Sequence, residues 1–109
     1  MKKIVLLIMV SVMVFIVSCS TPNSTENDAL AQCLTDNGVV MYGTEWCSHC
    51  QNQKEAFGDS FSLINYVDCD KSRAVCEAAG VTGYPTWIVN GESYPGEQPL
   101  GRLASLAGC

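Results

Sequence analysis

Apolar residues fall in short blocks along the chain, and their periods predict most of the elements. The first block, Ile4 to Val17, is almost unbroken over 14 residues; it follows Met1-Lys2-Lys3 and ends at Ser18-Cys19. A basic start and a short apolar core predict a secretory signal peptide over residues 1–18. It is shorter than the ~20 residues a spanning helix needs. Ser20 to Asn27 is polar and without period, which predicts a flexible tether over residues 19–27. From Asp28 the pattern changes. Asp28 caps a predicted helix with Leu30, Cys33 and Leu34 on one face, and Gly38 stops it. Val39 to Tyr42 is a continuous apolar run, expected as a strand buried on both faces.

A helix is then predicted from Cys47 to Phe57, stopped by Gly58. Its middle, Gln51 to Glu55, is polar, so only Cys50, Ala56 and Phe57 are expected in the core. Ile64 to Val67 reads as a second strand. Ser72 is expected to cap a helix through Ala79 that ends at Gly80. Thr86–Val89, Asn90-Gly91 and Glu92–Tyr94 form a hairpin pattern, because Asn-Gly suits a type I′ turn. Pro99 opens a last helix with Leu100, Leu103, Ala104 and Ala107 on one face. The order is α-β-α-β-α-β-β-α over residues 28–109. The βαβ connection predicts parallel neighbours, and the hairpin adds an antiparallel edge.

Charge and cysteine content narrow the chemistry. The 109 residues suffice for one domain and carry a net charge of −5. Loss of Lys2 and Lys3 with a signal peptide leaves four basic against eleven acidic residues, a net −7. An acidic surface without basic clusters is a poor match for nucleic acid. The stretch Ile16-Val17-Ser18-Cys19 resembles a bacterial lipobox, in which cleavage precedes a Cys that takes up lipid. Cys19 is therefore the expected lipidation site; an uncleaved anchor or an ordinary cleaved signal are the alternatives. All three carry the domain across a membrane, where disulfides persist. The expected location is extracytoplasmic, tied to the cell membrane.

The chemistry concentrates in Trp46-Cys47-Ser48-His49-Cys50. Two cysteines three positions apart at the start of a helix share one face, so their sulfurs can bond. The first sits where unpaired N–H groups and the helix dipole stabilise a thiolate. Cys47 is thus the expected nucleophile and Cys50 the resolving thiol. His49, the single histidine, is placed to support the Cys47 thiolate and make the disulfide more oxidising. A zinc half-site is the competing reading, but zinc wants a second pair at similar spacing, and Cys69 and Cys76 are seven apart. Cys69 and Cys76 read as a structural staple, with a redox relay or two free thiols as alternatives. Cys33 is expected as a buried thiol and Cys109 as an exposed one, on helices expected to cover opposite faces of the sheet.

These motifs and the element order resemble the thioredoxin superfamily, as does Gly83-Tyr84-Pro85-Thr86 before the penultimate strand. Met41-Tyr42-Gly43, Trp46 to Lys54, Phe57-Gly58, Tyr66-Val67-Asp68-Cys69-Asp70 and Gly83 to Trp87 resemble more closely one particular domain. It is the thioredoxin-like domain fused to bacterial and plant vitamin K epoxide reductase homologues. The resemblance covers about Leu30 to Cys109, without the reductase's transmembrane bundle. It implies an α/β thioredoxin-like fold, with a central mixed four-stranded sheet flanked by helices. It also implies a cis Tyr84–Pro85 bond, and a client-binding surface of Trp46, Tyr84 and Pro85. Trp87 is expected in the packing. The family's buried Asp, six residues before the first active-site Cys, is here Met41, and no Lys lies on the Ile64–Val67 strand to partner it.

The expectation is therefore a thiol–disulfide oxidoreductase that oxidises or isomerises protein disulfides as a monomer, with a quinone-linked membrane partner and no metal or organic cofactor. The alternatives are a reductase fed by a transmembrane electron carrier, a metal-handling module, and a lipoprotein with an inert Cys47–Cys50 staple.

Overall fold

A computed structural model describes residues 23–109. The expected signal peptide, Cys19 and the first part of the tether lie outside them. The elements are α1 (Asn23–Asp36), β1 (Val40–Gly43), α2 (Ser48–Phe57), β2 (Tyr66–Asp68), α3 (Arg73–Ala78), β3 (Thr86–Val89), β4 (Glu92–Pro95) and α4 (Leu100–Ala107). A 3₁₀ segment, Gly58–Leu63, joins α2 to β2. The sheet runs β2-β1-β3-β4. β1 is parallel to β2 and antiparallel to β3, and β4 closes an antiparallel edge. This is the thioredoxin fold with its mixed four-stranded sheet. Among the described residues, no helix is long and apolar enough to cross a membrane.

Local rules placed the boundaries well where a backbone conformation demanded a particular residue. Asn90 and Gly91 both take positive φ, 52° and 79°, as a type I′ turn requires, and Val89 pairs with Glu92 across them. Gly58 stops α2 at φ 60°.

Several expectations are corrected. Helix α1 starts at Asn23, so residues 23–27 of the expected tether are helical. Asp28 lies inside the helix rather than at its cap, and its carboxylate accepts from the Ser60 hydroxyl of the 3₁₀ segment. Packing against that segment holds a turn whose own sequence shows no apolar period. Ser72 stands at the cap of α3 without a side-chain capping bond. β1 is buried only at alternate positions, Met41 and Gly43. On α2 the buried residues are Cys50, Gln53 and Phe57, while Ala56 is exposed.

The core gathers Leu34, Val39, Met41, Phe57, Trp87, Val89 and Leu103 between sheet and helices. Gln53 is buried among them because positions i, i+3 and i+7 of α2 face inward. Its Oε1 accepts from the Gln98 amide at 2.7 Å and from the Trp87 indole at 3.1 Å. Its Nε2 donates to the Gln98 carbonyl at 3.1 Å. A single polar side chain thus ties α2 to β3 and to the loop that enters α4.

Cys33 and Cys109 form a disulfide with a Cα–Cα distance of 6.1 Å, against the expectation of two free thiols. The C-terminal ends of α1 and α4 meet, with Asn37 Nδ2 donating to the Ala107 carbonyl at 2.9 Å. Helices expected on opposite faces are neighbours there. Cys69 and Cys76 form a second disulfide, Cα–Cα 5.7 Å.

Candidate active site

Cys47 is the N-cap of α2, and its Sγ accepts the backbone N–H of Cys50 at 3.2 Å. Three residues on, Cys50 is fully buried, and both cysteines are free thiols. Burial pushes the Cys50 thiol up to about 12, and its hydrogen bond to Cys47 adds to the rise. The two sulfurs are therefore unequal. Cys47 Sγ meets the N–H groups of the helix N-terminus, whereas burial favours the protonated form of Cys50.

His49 is exposed, and its Nδ1 lies 2.7 Å from Oε1 of Glu97. Asn52 Nδ2 donates to the same oxygen at 3.1 Å. These bonds, His49 first, hold the Glu97 carboxyl below its usual range. Glu97 orients the imidazole, and sequence reasoning missed it. It lies 48 positions from His49 on a loop without a motif.

Trp46 is 69% exposed and Tyr84 37%, and their rings meet edge to face at 6.1 Å. The Trp46 indole N–H donates to Asp70 at 2.8 Å. Asp70 follows Cys69, whose amide donates to the Gly43 carbonyl at 2.8 Å. The Cys69–Cys76 bridge therefore anchors the loop that holds Trp46. The Tyr84–Pro85 bond is cis and Pro85 is buried. Trp87 is fully buried.

Three further residues at the site lie in stretches that carry the family resemblance, but sequence reasoning gave them no role. A methyl group built on Gly43 would lie 2.8 Å from Cys50 Sγ, so only glycine leaves that sulfur its space. The Tyr66 ring adjoins the same point at 3.3 Å, and its buried hydroxyl has no hydrogen-bond partner. Lys54 Nζ lies over that ring. Among the described residues, no three His, Cys, Asp or Glu side chains cluster closely enough to hold a metal ion.

The model of the Thioredoxin family matches residues 20–106. The chain belongs to the thioredoxin family. It is 40% identical over 98 residues to the thiol-disulfide oxidoreductase LTO1 of Arabidopsis thaliana, covering 82% of this chain and 26% of that protein. It is 36% identical over 80 residues to protein disulfide isomerase-like 2-1 of Oryza sativa subsp. japonica, covering 61% of this chain and 22% of that one. The chain thus spans about a quarter of the length of these curated relatives. Among solved structures, a mutant thioredoxin from Halobacterium salinarum is 26% identical with a TM-score of 0.49, covering 76% of this chain and 80% of that one.

Proposed function

We propose that this thioredoxin-family chain is a thiol–disulfide oxidoreductase acting on protein thiols and disulfides, with Cys47 as nucleophile and Cys50 as resolving thiol. The observation that carries the reading is the inequality of the two sulfurs: Cys47 Sγ caps α2, whereas Cys50 is fully enclosed and its burial pushes the thiol up. In the oxidising direction a client thiolate attacks Cys47 of the Cys47–Cys50 disulfide. Cys50 leaves as a thiolate and takes up a proton. A second client thiolate attacks the client sulfur of the mixed disulfide and Cys47 leaves. The client gains a disulfide, and the enzyme holds two thiols, hence two electrons. The exposed Trp46–Tyr84 pair and the Pro85 loop serve as the client surface.

The chain is further proposed to be exported and tethered through Cys19, with a quinone-linked membrane protein reoxidising the dithiol. Support comes from the sequence pattern at the N-terminus and the resemblance to domains joined to vitamin K epoxide reductase homologues. His49 between the two cysteines in sequence and apolar Met41 in place of an acid favour oxidation or isomerisation over reduction.

Cys50→Ala is expected to accumulate mixed disulfides with clients, and Cys47→Ala none; equal trapping would overturn the assignment. Equilibration with glutathione buffers, read by mass after thiol alkylation, should give a potential nearer about −120 to −180 mV than thioredoxin's ~−270 mV. His49→Ala should lower it. A wild-type value at or below that of thioredoxin would make the chain a reductase.

A further inference from the structure

Helix α2 carries Lys54 one turn beyond Cys50, so the two side chains project from one face. Lys54 does not extend into water. Its ammonium lies 4.3 Å from the centroid of the Tyr66 ring, 5.6 Å from that of Phe61, and 3.2 Å from Oε1 of Glu45. The ring face attracts the cation, and the carboxylate restrains it. Tyr66 in turn adjoins Gly43 at the point where Cys50 Sγ passes. Sulfur, ring and ammonium form one cluster, and the missing side chain of Gly43 makes room for it.

We propose that Lys54 supplies the charge that supports Cys50 as a thiolate during exchange. This rests on the division of roles between Cys47 and Cys50 proposed above. In the resolving step the Cys50 S–H gives its proton to solvent, and its electron pair attacks Cys47 Sγ. The Cys47–client S–S bond breaks, and the client sulfur leaves with its pair and takes up a proton. In the opposite direction Cys50 is the sulfur that leaves. One fixed cation therefore serves both directions, since the same thiolate forms in each. A thiolate in a buried position without a counter-charge is costly. Lys54 acts against the upward push that burial exerts on the Cys50 thiol. The other charged or titratable groups facing the cluster are Cys47, Glu45, Asp68 and Tyr66 itself. Glu45 is exposed, so its charge is partly screened, and what remains offsets part of the ammonium's effect on Cys50.

The test uses the full chain and oxidised glutathione, with formation and resolution of the Cys47–glutathione mixed disulfide followed by rapid alkylation and mass spectrometry from pH 5 to 9. Lys54→Met should form the mixed disulfide at the wild-type rate and resolve it about tenfold more slowly at pH 7. Its pH profile should move up by about one unit. Lys54→Arg should restore both. Glu45→Gln, which frees the ammonium from its carboxylate, should move the profile down, and it answers the question even if Lys54→Met does not fold. An unshifted profile in either variant, or a Lys54→Arg chain that resolves as slowly as Lys54→Met, overturns the role of Lys54. Failure of Cys50→Ala to hold the mixed disulfide overturns the division of roles instead.

Discussion

At the scale of single residues, the site is shaped by side chains that satisfy one another across distant parts of the chain. Gln53 is the clearest case. A polar residue in the middle of α2 is stable in the core because each of its amide atoms is bonded, to Trp87 and to both backbone groups of Gln98. Gln53→Ala would leave the Trp87 and Gln98 N–H groups buried without acceptors. At ~1–3 kcal/mol for each such donor, the expected loss is about 2–6 kcal/mol in denaturant unfolding. The loss should also loosen the entry to α4 and the neighbouring Glu97, so the His49–Glu97 contact should weaken. A variant that unfolds at the wild-type denaturant concentration would show that these bonds carry no net stability.

At the scale of elements, a turn closed by a disulfide controls an exposed aromatic. The Cys69–Cys76 bridge joins the end of β2 to α3, and Asp70 within that loop holds the Trp46 indole. Closing this 8-residue loop contributes about 2.5 kcal/mol in the chain-entropy model. Replacing both cysteines by Ala should lower stability by up to that amount. It should also free Trp46, seen as a change in its fluorescence while Trp87 stays buried. The Cys47–Cys50 dithiol is separate from this bridge, so exchange with glutathione should continue. If Trp46 emission is unchanged, the loop is held by something other than the bridge.

At the scale of the whole molecule, the Cys33–Cys109 bond ties α1 to the end of α4 across 76 positions. A loop that long restricts the unfolded chain strongly, about 4.5 kcal/mol in the same model. Cys33→Ala with Cys109→Ala should therefore lower the melting temperature more than loss of the shorter bridge. It should leave the reduction potential of Cys47–Cys50 unmoved, because it touches neither α2 nor the loops beside it. A larger effect from the Cys69–Cys76 pair would mean that native strain, rather than loop length, governs the two bridges. A small domain gains from such ties, since its core is limited.

The sequence by itself determined whatever depended on neighbours within a turn or two. The dithiol spacing, the start of α2, the glycine stops and the Asn90-Gly91 hairpin follow from backbone geometry and helix periodicity, which act locally. The family resemblance added the thioredoxin-like fold and the cis Tyr84–Pro85 bond, neither of which a period or a turn rule supplies. Only the tertiary structure decided the rest. Glu97 reaches His49 from 48 positions away, Gln98 reaches Gln53 from 45, and Cys109 reaches Cys33 from 76. Such pairs exist only once helices and loops have docked, so no local pattern marks them. The start of α1 shows the same cause from the other side. Packing on the 3₁₀ segment made helix of residues 23–27, where composition alone argued for a tether.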